Sequence, residues 1–123
     1  MIKNVLLILS IFILIPVFAG NALNEVNKTD KVFLYVSAND CGYCAKFEPI
    51  FKKLSSNYSN RPCKFIKVDA STPEGKVVIN DFGVYYLPYV IMIDNKKRMI
   101  HNVVPKCLLN YACINDATNR FIN

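Results

Sequence analysis

Val32-Phe33-Leu34-Tyr35-Val36-Ser37-Ala38-Asn39-Asp40-Cys41-Gly42-Tyr43-Cys44-Ala45-Lys46-Phe47 carries two signals that together decide the fold. Val32 to Val36 is apolar without interruption and rich in β-branched and aromatic side chains, the pattern of a strand buried on both faces of a sheet. From Cys44 the period changes. Phe47, Phe51, Leu54 and Tyr58 recur every three or four residues, which predicts a helix over 44–58 with one apolar face. Between strand and helix stand two cysteines separated by two residues. That places Cys41 at a helix N-terminus, where unpaired N–H groups and the helix dipole favour a thiolate. Such a position can draw a thiol pKa from about 8.5 down to roughly 3.5–7.5. Cys44, inside the helix and less exposed, is suited to attack a mixed disulfide formed at Cys41. Gly42 keeps the approach to Cys41 open.

Downstream, Asn60-Arg61-Pro62 breaks the helix and Cys63 to Val68 reads as a second strand. It returns parallel to the first through the right-handed crossover that such units require. Ser71-Thr72-Pro73-Glu74 carries a capping-box pattern with an early proline, predicting a short helix to about Phe82. Gly83 suits the left-handed end of that helix. Tyr89 to Ile93 predicts a third strand, and Asp94-Asn95-Lys96-Lys97 a hairpin turn into a fourth over Arg98 to Val104. A last helix is expected over much of Lys106 to Ile122, with Leu109, Cys113, Ala117 and Phe121 on its apolar face. The order β-α-β-α-β-β-α implies an α/β fold with a central mixed sheet flanked by helices, occupying residues 31–123 as one domain.

Upstream, Met1-Ile2-Lys3-Asn4 is a short basic start, and Val5 to Phe18 follows without a charge. Val17-Phe18-Ala19 then offers small residues where a signal peptidase cuts, so residues 1–19 are expected to be a secretory signal peptide. An uncleaved anchor is the alternative. A spanning helix wants about 20 apolar residues, and this run is shorter, with Pro16 inside it. Cleavage leaves no stable membrane span and a mature chain beginning with a polar arm, Gly20 to Asp30, loose or folded as one short helix. The expected location is outside the cytoplasm, in the periplasm if the source is bacterial.

The chain has 123 residues, 53% hydrophobic and 20% charged, which excludes wholesale disorder. Lys and Arg number 15 against 9 Asp and Glu, net +6. The basic residues are dispersed, and the densest run, Lys96-Lys97-Arg98, reads as a solvated hairpin tip. Nucleic acid is therefore not an expected partner. Five cysteines are the notable count. In an oxidising compartment thiols pair or exchange. Cys107 and Cys113 lie six apart, which in a continuous helix means about 9 Å of rise, beyond the roughly 7 Å over which two Cα atoms can be bridged. They pair only if Pro105 to Cys113 forms a loop or broken turn. Export favours that structural disulfide, while a place for Cys113 on the apolar stripe favours a buried free thiol. Cys63 is then the odd thiol, expected as a small buried hydrophobe at the sheet end away from Cys41.

At these residues the chain resembles the thioredoxin superfamily, over about residues 31 to 122. Asp40-Cys41-Gly42-Tyr43-Cys44 looks like the family's Trp-Cys-Gly-Pro-Cys, and Pro49 holds the family's proline five residues after the second cysteine. Tyr86-Leu87-Pro88 is similar to the stretch that ends in the family's cis proline, which implies a cis Leu87–Pro88 bond facing the disulfide. The resemblance implies a protein-disulfide oxidoreductase in which Cys41 attacks and Cys44 resolves. Gly42, Tyr43, Leu87 and Pro88 would bind an extended, cysteine-containing protein substrate. No cofactor is expected, because the dithiol itself carries two electrons, but a redox partner must reset it. Several departures stand out. Tyr35 replaces the family's buried Asp, Phe65 a buried Lys, and Asp40 the Trp, with a charge that opposes a Cys41 thiolate. Gly-Tyr between the cysteines is the pair of the bacterial periplasmic disulfide isomerases, yet Leu87 stands where those present Thr. Reduction, formation and isomerisation of disulfides therefore all stay open.

Two other chemistries use the same residues. Zinc takes four N or S ligands, and no second Cys-x-x-Cys or histidine pair completes a set around Cys41 and Cys44, so no metal site is expected. A two-coordinate soft ion such as Cu(I) fits the pair alone, which makes a metallochaperone one alternative. A redox-silent binding module is the other. His101, the one histidine, is expected on the surface of the last strand.

Overall fold

A computed structural model describes residues 21–123; the expected signal peptide lies outside them. One parallel and two antiparallel pairings build a four-stranded mixed sheet in which the strands, numbered along the chain, lie in the order 2-1-3-4. Its strands are β1 (Lys31–Ser37), β2 (Lys64–Asp69), β3 (Tyr89–Asp94) and β4 (Met99–Asn102). The helices are α1 (Asn21–Lys28), α2 (Gly42–Asn57), α3 (Pro73–Phe82), α4 (Pro105–Leu108) and α5 (Tyr111–Ile122). Strand and helix order agree with the sequence pattern. The polar arm forms the short helix α1, and the final helix is broken in two.

Alternation along β1 divides the core. Phe33 and Tyr35 point to one face, where they pack with Phe47, Phe51, Leu54, Ile114 and Ile122 from α2 and α5. Val32, Leu34 and Val36 point to the other, against Val78 of α3, Ile91 and Ile93 of β3, and Val26 of α1. Val32 to Val36 are all fully buried. Asn95 ties the polar arm down by donating its side-chain amide to the carbonyls of Val26 and Thr29.

The last helix departs from expectation in a way the residues explain. Pro105 lacks an N–H and starts a single turn, α4. The Asn110 side chain then caps a new helix by accepting the Cys113 N–H at 3.1 Å. Restarting at Tyr111 shifts the buried face from the predicted Leu109, Cys113, Ala117 and Phe121 to Ile114, Thr118 and Ile122. Thr118 is tolerated there because its hydroxyl donates to the Ile114 carbonyl at 2.6 Å. The break also brings the Cα atoms of Cys107 and Cys113 to 5.2 Å, and the two are joined as a disulfide.

Two smaller corrections concern ends. Strand β4 is shorter than predicted, because Arg98 adopts a left-handed φ of 55° and belongs to the turn. The cap of α3 is Thr72, whose hydroxyl accepts the Gly75 N–H at 3.0 Å, while Ser71 is held by the Asp69 carboxylate. Gly83 ends the helix at φ 65°, a conformation glycine adopts without a Cβ clash. Among the described residues no helix is long and apolar enough to cross a membrane.

Gly75 is where α3 meets the end of β2. A Cβ there would lie 1.9 Å from the Asp69 carbonyl oxygen and 2.8 Å from Ala70 Cα, both backbone atoms that cannot swing aside. Gly75→Ala is expected to cost about 1–3 kcal/mol through overpacking, read as a lower urea midpoint. An unchanged midpoint would show that α3 can shift freely on the sheet.

Candidate active site

β1 ends at Ser37, and four residues later Cys41 occupies the N-cap of α2 with extended backbone, φ −125° and ψ 108°. Its Sγ accepts the Cys44 N–H at 3.1 Å, and its carbonyl accepts the Ala45 N–H at 3.1 Å. One sulfur thus does the capping that a Ser or Asp oxygen usually does. The same donor that satisfies the cap stabilises negative charge on Cys41 once the disulfide opens. Cys41 and Cys44 form a disulfide with Cα atoms 5.1 Å apart. Cys41 is half-buried and Cys44 is 2% exposed, so reagents reach the first sulfur and not the second. Gly42 is exposed, and a Cβ there would meet nothing within 4 Å. Glycine is therefore not demanded by the protein's own packing at that turn.

Tyr43 is exposed, with the Lys46 ammonium 5.3 Å from its ring centroid. It lines an apolar groove of about 460 Å³. Tyr86, Leu87 and Pro88 line it, and the Leu87–Pro88 peptide is cis. Pro105, Lys106, Leu108 and Leu109 complete the lining. The groove thus joins Tyr43, Leu87 and Pro88, predicted as substrate contacts, to a wall from α4 that the sequence did not signal.

A second unsignalled feature lies beneath the cysteines. Tyr35 is fully buried, yet its hydroxyl sits 3.2 Å from each of Ser37 Oγ, the Cys44 carbonyl oxygen and a Glu48 carboxylate oxygen. With one proton, the hydroxyl donates to one acceptor at a time, and the Ser37 hydroxyl can donate back. Lys67, opposite Tyr35 in the β1–β2 register, donates to Glu48 Oε1 at 2.8 Å. Burial, with the nearby Glu48 charge adding to it, pushes the Tyr35 phenol up to about 12. The Lys67 hydrogen bond holds the Glu48 carboxyl below its ordinary value. A polar chain therefore runs from the partly exposed Lys67 to the backbone of Cys44. The signals were available in principle: Glu48 is four residues after Cys44, hence one helical turn away on the same face.

The other candidates lie elsewhere. His101 is exposed on β4, the edge strand. Cys63, expected to be buried and to open the second strand, is a free, half-buried thiol immediately before β2, at the sheet end opposite Cys41. Burial pushes its pKa up to about 11, so it is a thiol and a poor nucleophile at neutral pH. Among the described residues no group of three or more His, Cys, Asp or Glu side chains is placed to hold a metal ion.

Comparison with known proteins places these features. A family model described as thioredoxin matches residues 16–107. Among solved structures, thioredoxin from Malassezia sympodialis superposes with a TM-score of 0.68 at 22% identity, covering 82% of this chain and 84% of that one. A Schistosoma mansoni thioredoxin pre-protein gives 0.63 at 28% identity, over 82% and 88% of the two chains. Oxidised thioredoxin from Plasmodium falciparum gives 0.66 at 17% identity, over 85% and 95%. No curated protein sequence matches the chain.

Two outcomes follow from the titrating groups. The native state prefers ionised Glu48, so that preference stabilises the fold above the ordinary glutamate pKa and is lost as pH falls through the depressed one. Glu48→Gln should cost up to about 1 kcal/mol at pH 7, since the ion pair is partly solvated. In urea denaturation the difference from wild type should shrink at pH 3. An equal difference at both pH values would remove Glu48 ionisation from the account. For Cys63, iodoacetamide at pH 8 should leave the native oxidised protein unmodified and alkylate it readily in urea. Rapid alkylation of the native protein would show that the thiol is open.

Proposed function

The chain belongs to the thioredoxin family, and on that premise we propose that it is an exported oxidoreductase exchanging disulfides with protein substrates at Cys41 and Cys44. The observation that carries the proposal is the N-cap position of Cys41, half-buried and with its Sγ accepting the Cys44 N–H that would stabilise a thiolate there, beside Cys44, 2% exposed.

In the reducing direction the Cys41 thiolate attacks one sulfur of a substrate disulfide. A Cys41–substrate bond forms, and the other substrate sulfur leaves as a thiolate with the bonding pair. Cys44 then loses its proton and attacks Cys41 Sγ, forming the Cys41–Cys44 bond and expelling the second substrate sulfur, which takes up a proton. The first leaving thiolate takes up from solvent the proton that Cys41 released on ionising, so substrate gains two electrons and two protons and the dithiol loses them. The same steps run backwards from the oxidised protein to form a substrate disulfide. Direction is set by the potential of the pair against the compartment and the redox partner. Members of this fold span about −270 to −120 mV. Export is supported by the basic start, charge-free run and small-residue exit of residues 1–19, and the second disulfide suits an oxidising compartment.

Cys41→Ser should abolish turnover of a protein disulfide, and Cys44→Ser should accumulate mixed disulfides on Cys41, visible on non-reducing gels and released by dithiothreitol. Undiminished turnover by Cys41→Ser would sink the mechanism. Insulin reduction and rescue of scrambled ribonuclease, run beside a glutathione titration of the pair, separate reductant, oxidant and isomerase.

A further inference from the structure

Two of the chain segments that line the groove are held in different ways. Tyr86, Leu87 and Pro88 run directly into β3, every residue of which is buried, so that segment is fixed by the sheet. The other is a single helical turn, Pro105–Leu108, followed by Leu109. One turn is too short to hold itself, because it fixes several residues for very few hydrogen bonds. Two things restrain it. Cys107 and Leu108 are buried, at 6% and 2% exposure, and Cys107 is bonded to Cys113 in the first turn of α5. Helix α5 is itself anchored by Ile114, Thr118 and Ile122. Lys106, Leu108 and Leu109 flank the bonded Cys107 and face the groove.

The lining also has a chemical bias. It is apolar apart from tyrosine hydroxyls and one charge, Lys106, and no Asp or Glu contributes. A second cation, Lys46, stands over the ring of Tyr43, one of the lining residues.

The geometry points to a positioning role for the Cys107–Cys113 disulfide: it fixes the α4 wall so that the groove selects an extended, cysteine-bearing polypeptide with an apolar side chain beside the cysteine and a carboxylate next to Lys106. This rests on the exchange chemistry proposed for Cys41 and Cys44, and it makes the second disulfide part of substrate choice without part in electron transfer. Tyr43 and Pro88 supply fixed apolar contact, Leu109 supplies contact that depends on the staple, and Lys106 supplies the charge preference.

The test uses the full mature protein, two disulfide-linked peptides and hydroxyethyl disulfide. One peptide carries Leu and Glu beside its cysteine, the other Ser and Lys. Wild type should favour the Leu/Glu peptide. Cys107→Ala combined with Cys113→Ala should raise its KM on the order of tenfold, with kcat and the Cys41–Cys44 reduction potential unchanged. Lys106→Glu should invert the Glu-over-Lys preference, and Leu109→Ser should raise KM for the Leu/Glu peptide. These two single variants lie on the surface and keep the question answerable if the double variant does not fold. Equal KM for the two peptides in wild type would overturn the proposal. So would an unchanged KM in all the variants, or a shifted potential with KM preserved. Failure of wild type on hydroxyethyl disulfide as well would overturn the exchange chemistry itself; activity on it without peptide discrimination would overturn only the groove's selectivity.

Discussion

Val32, Phe33, Leu34, Tyr35 and Val36 have no exposure at all, and strand β1 is hydrogen-bonded along both edges, parallel to β2 and antiparallel to β3. A strand with neighbours on both edges and cores on both faces has no freedom to slide, because a one-residue slip would exchange its two faces. Everything that reacts is placed by this strand. Its C-terminal end delivers Cys41 to the N-terminus of α2, and α2 in turn lies on the face defined by Phe33 and Tyr35. Ring contacts of Tyr35 with Phe47 and Phe51, at 4.8 and 4.9 Å between centroids, lock helix to strand directly below the cysteines.

That same face makes one concession to polarity. A phenol buried in an aromatic core costs free energy unless its hydroxyl is satisfied, and Tyr35 finds Ser37, Glu48 and the Cys44 carbonyl. No buried side-chain nitrogen or oxygen among the described residues lacks a partner. The result is a core that is apolar along α2 except at the turn carrying Cys44, where charge enters from Lys67 through Glu48. The site therefore combines a half-buried Cys41, its sulfur hydrogen-bonded by the Cys44 N–H, with a buried Cys44 whose carbonyl touches a hydrogen-bonded network.

The parts legible in the sequence were those in which a single local pattern suffices. The run Val32–Val36 and the spacing of Phe47, Phe51, Leu54 and Tyr58 each repeat within one element, and Cys41-Gly42-Tyr43-Cys44 is contiguous. What was not legible depended on relations between elements. Lys67 meets Glu48 because the β1–β2 register sets Lys67 opposite Tyr35, and register is not written in either strand alone. The face of α5 was misassigned because Thr118, which looks polar, satisfies its hydroxyl on its own helix. The α4 wall gave no signal because a four-residue turn has no periodicity to detect.

The two disulfides have in common that each is closed locally, across sequence separations of 3 and 6 residues. In the chain-entropy account, cross-linking so short a loop restricts the unfolded chain by about 2 kcal/mol, against about 4.7 for a loop of 100 residues. Neither bond ties strand to strand or one end of the chain to the other. Breaking the Cys41–Cys44 bond therefore releases little conformational freedom, and the sheet with its two cores persists with the sulfurs oxidised or reduced. A catalyst that must gain and lose a disulfide on every cycle needs that separation between its chemistry and its architecture.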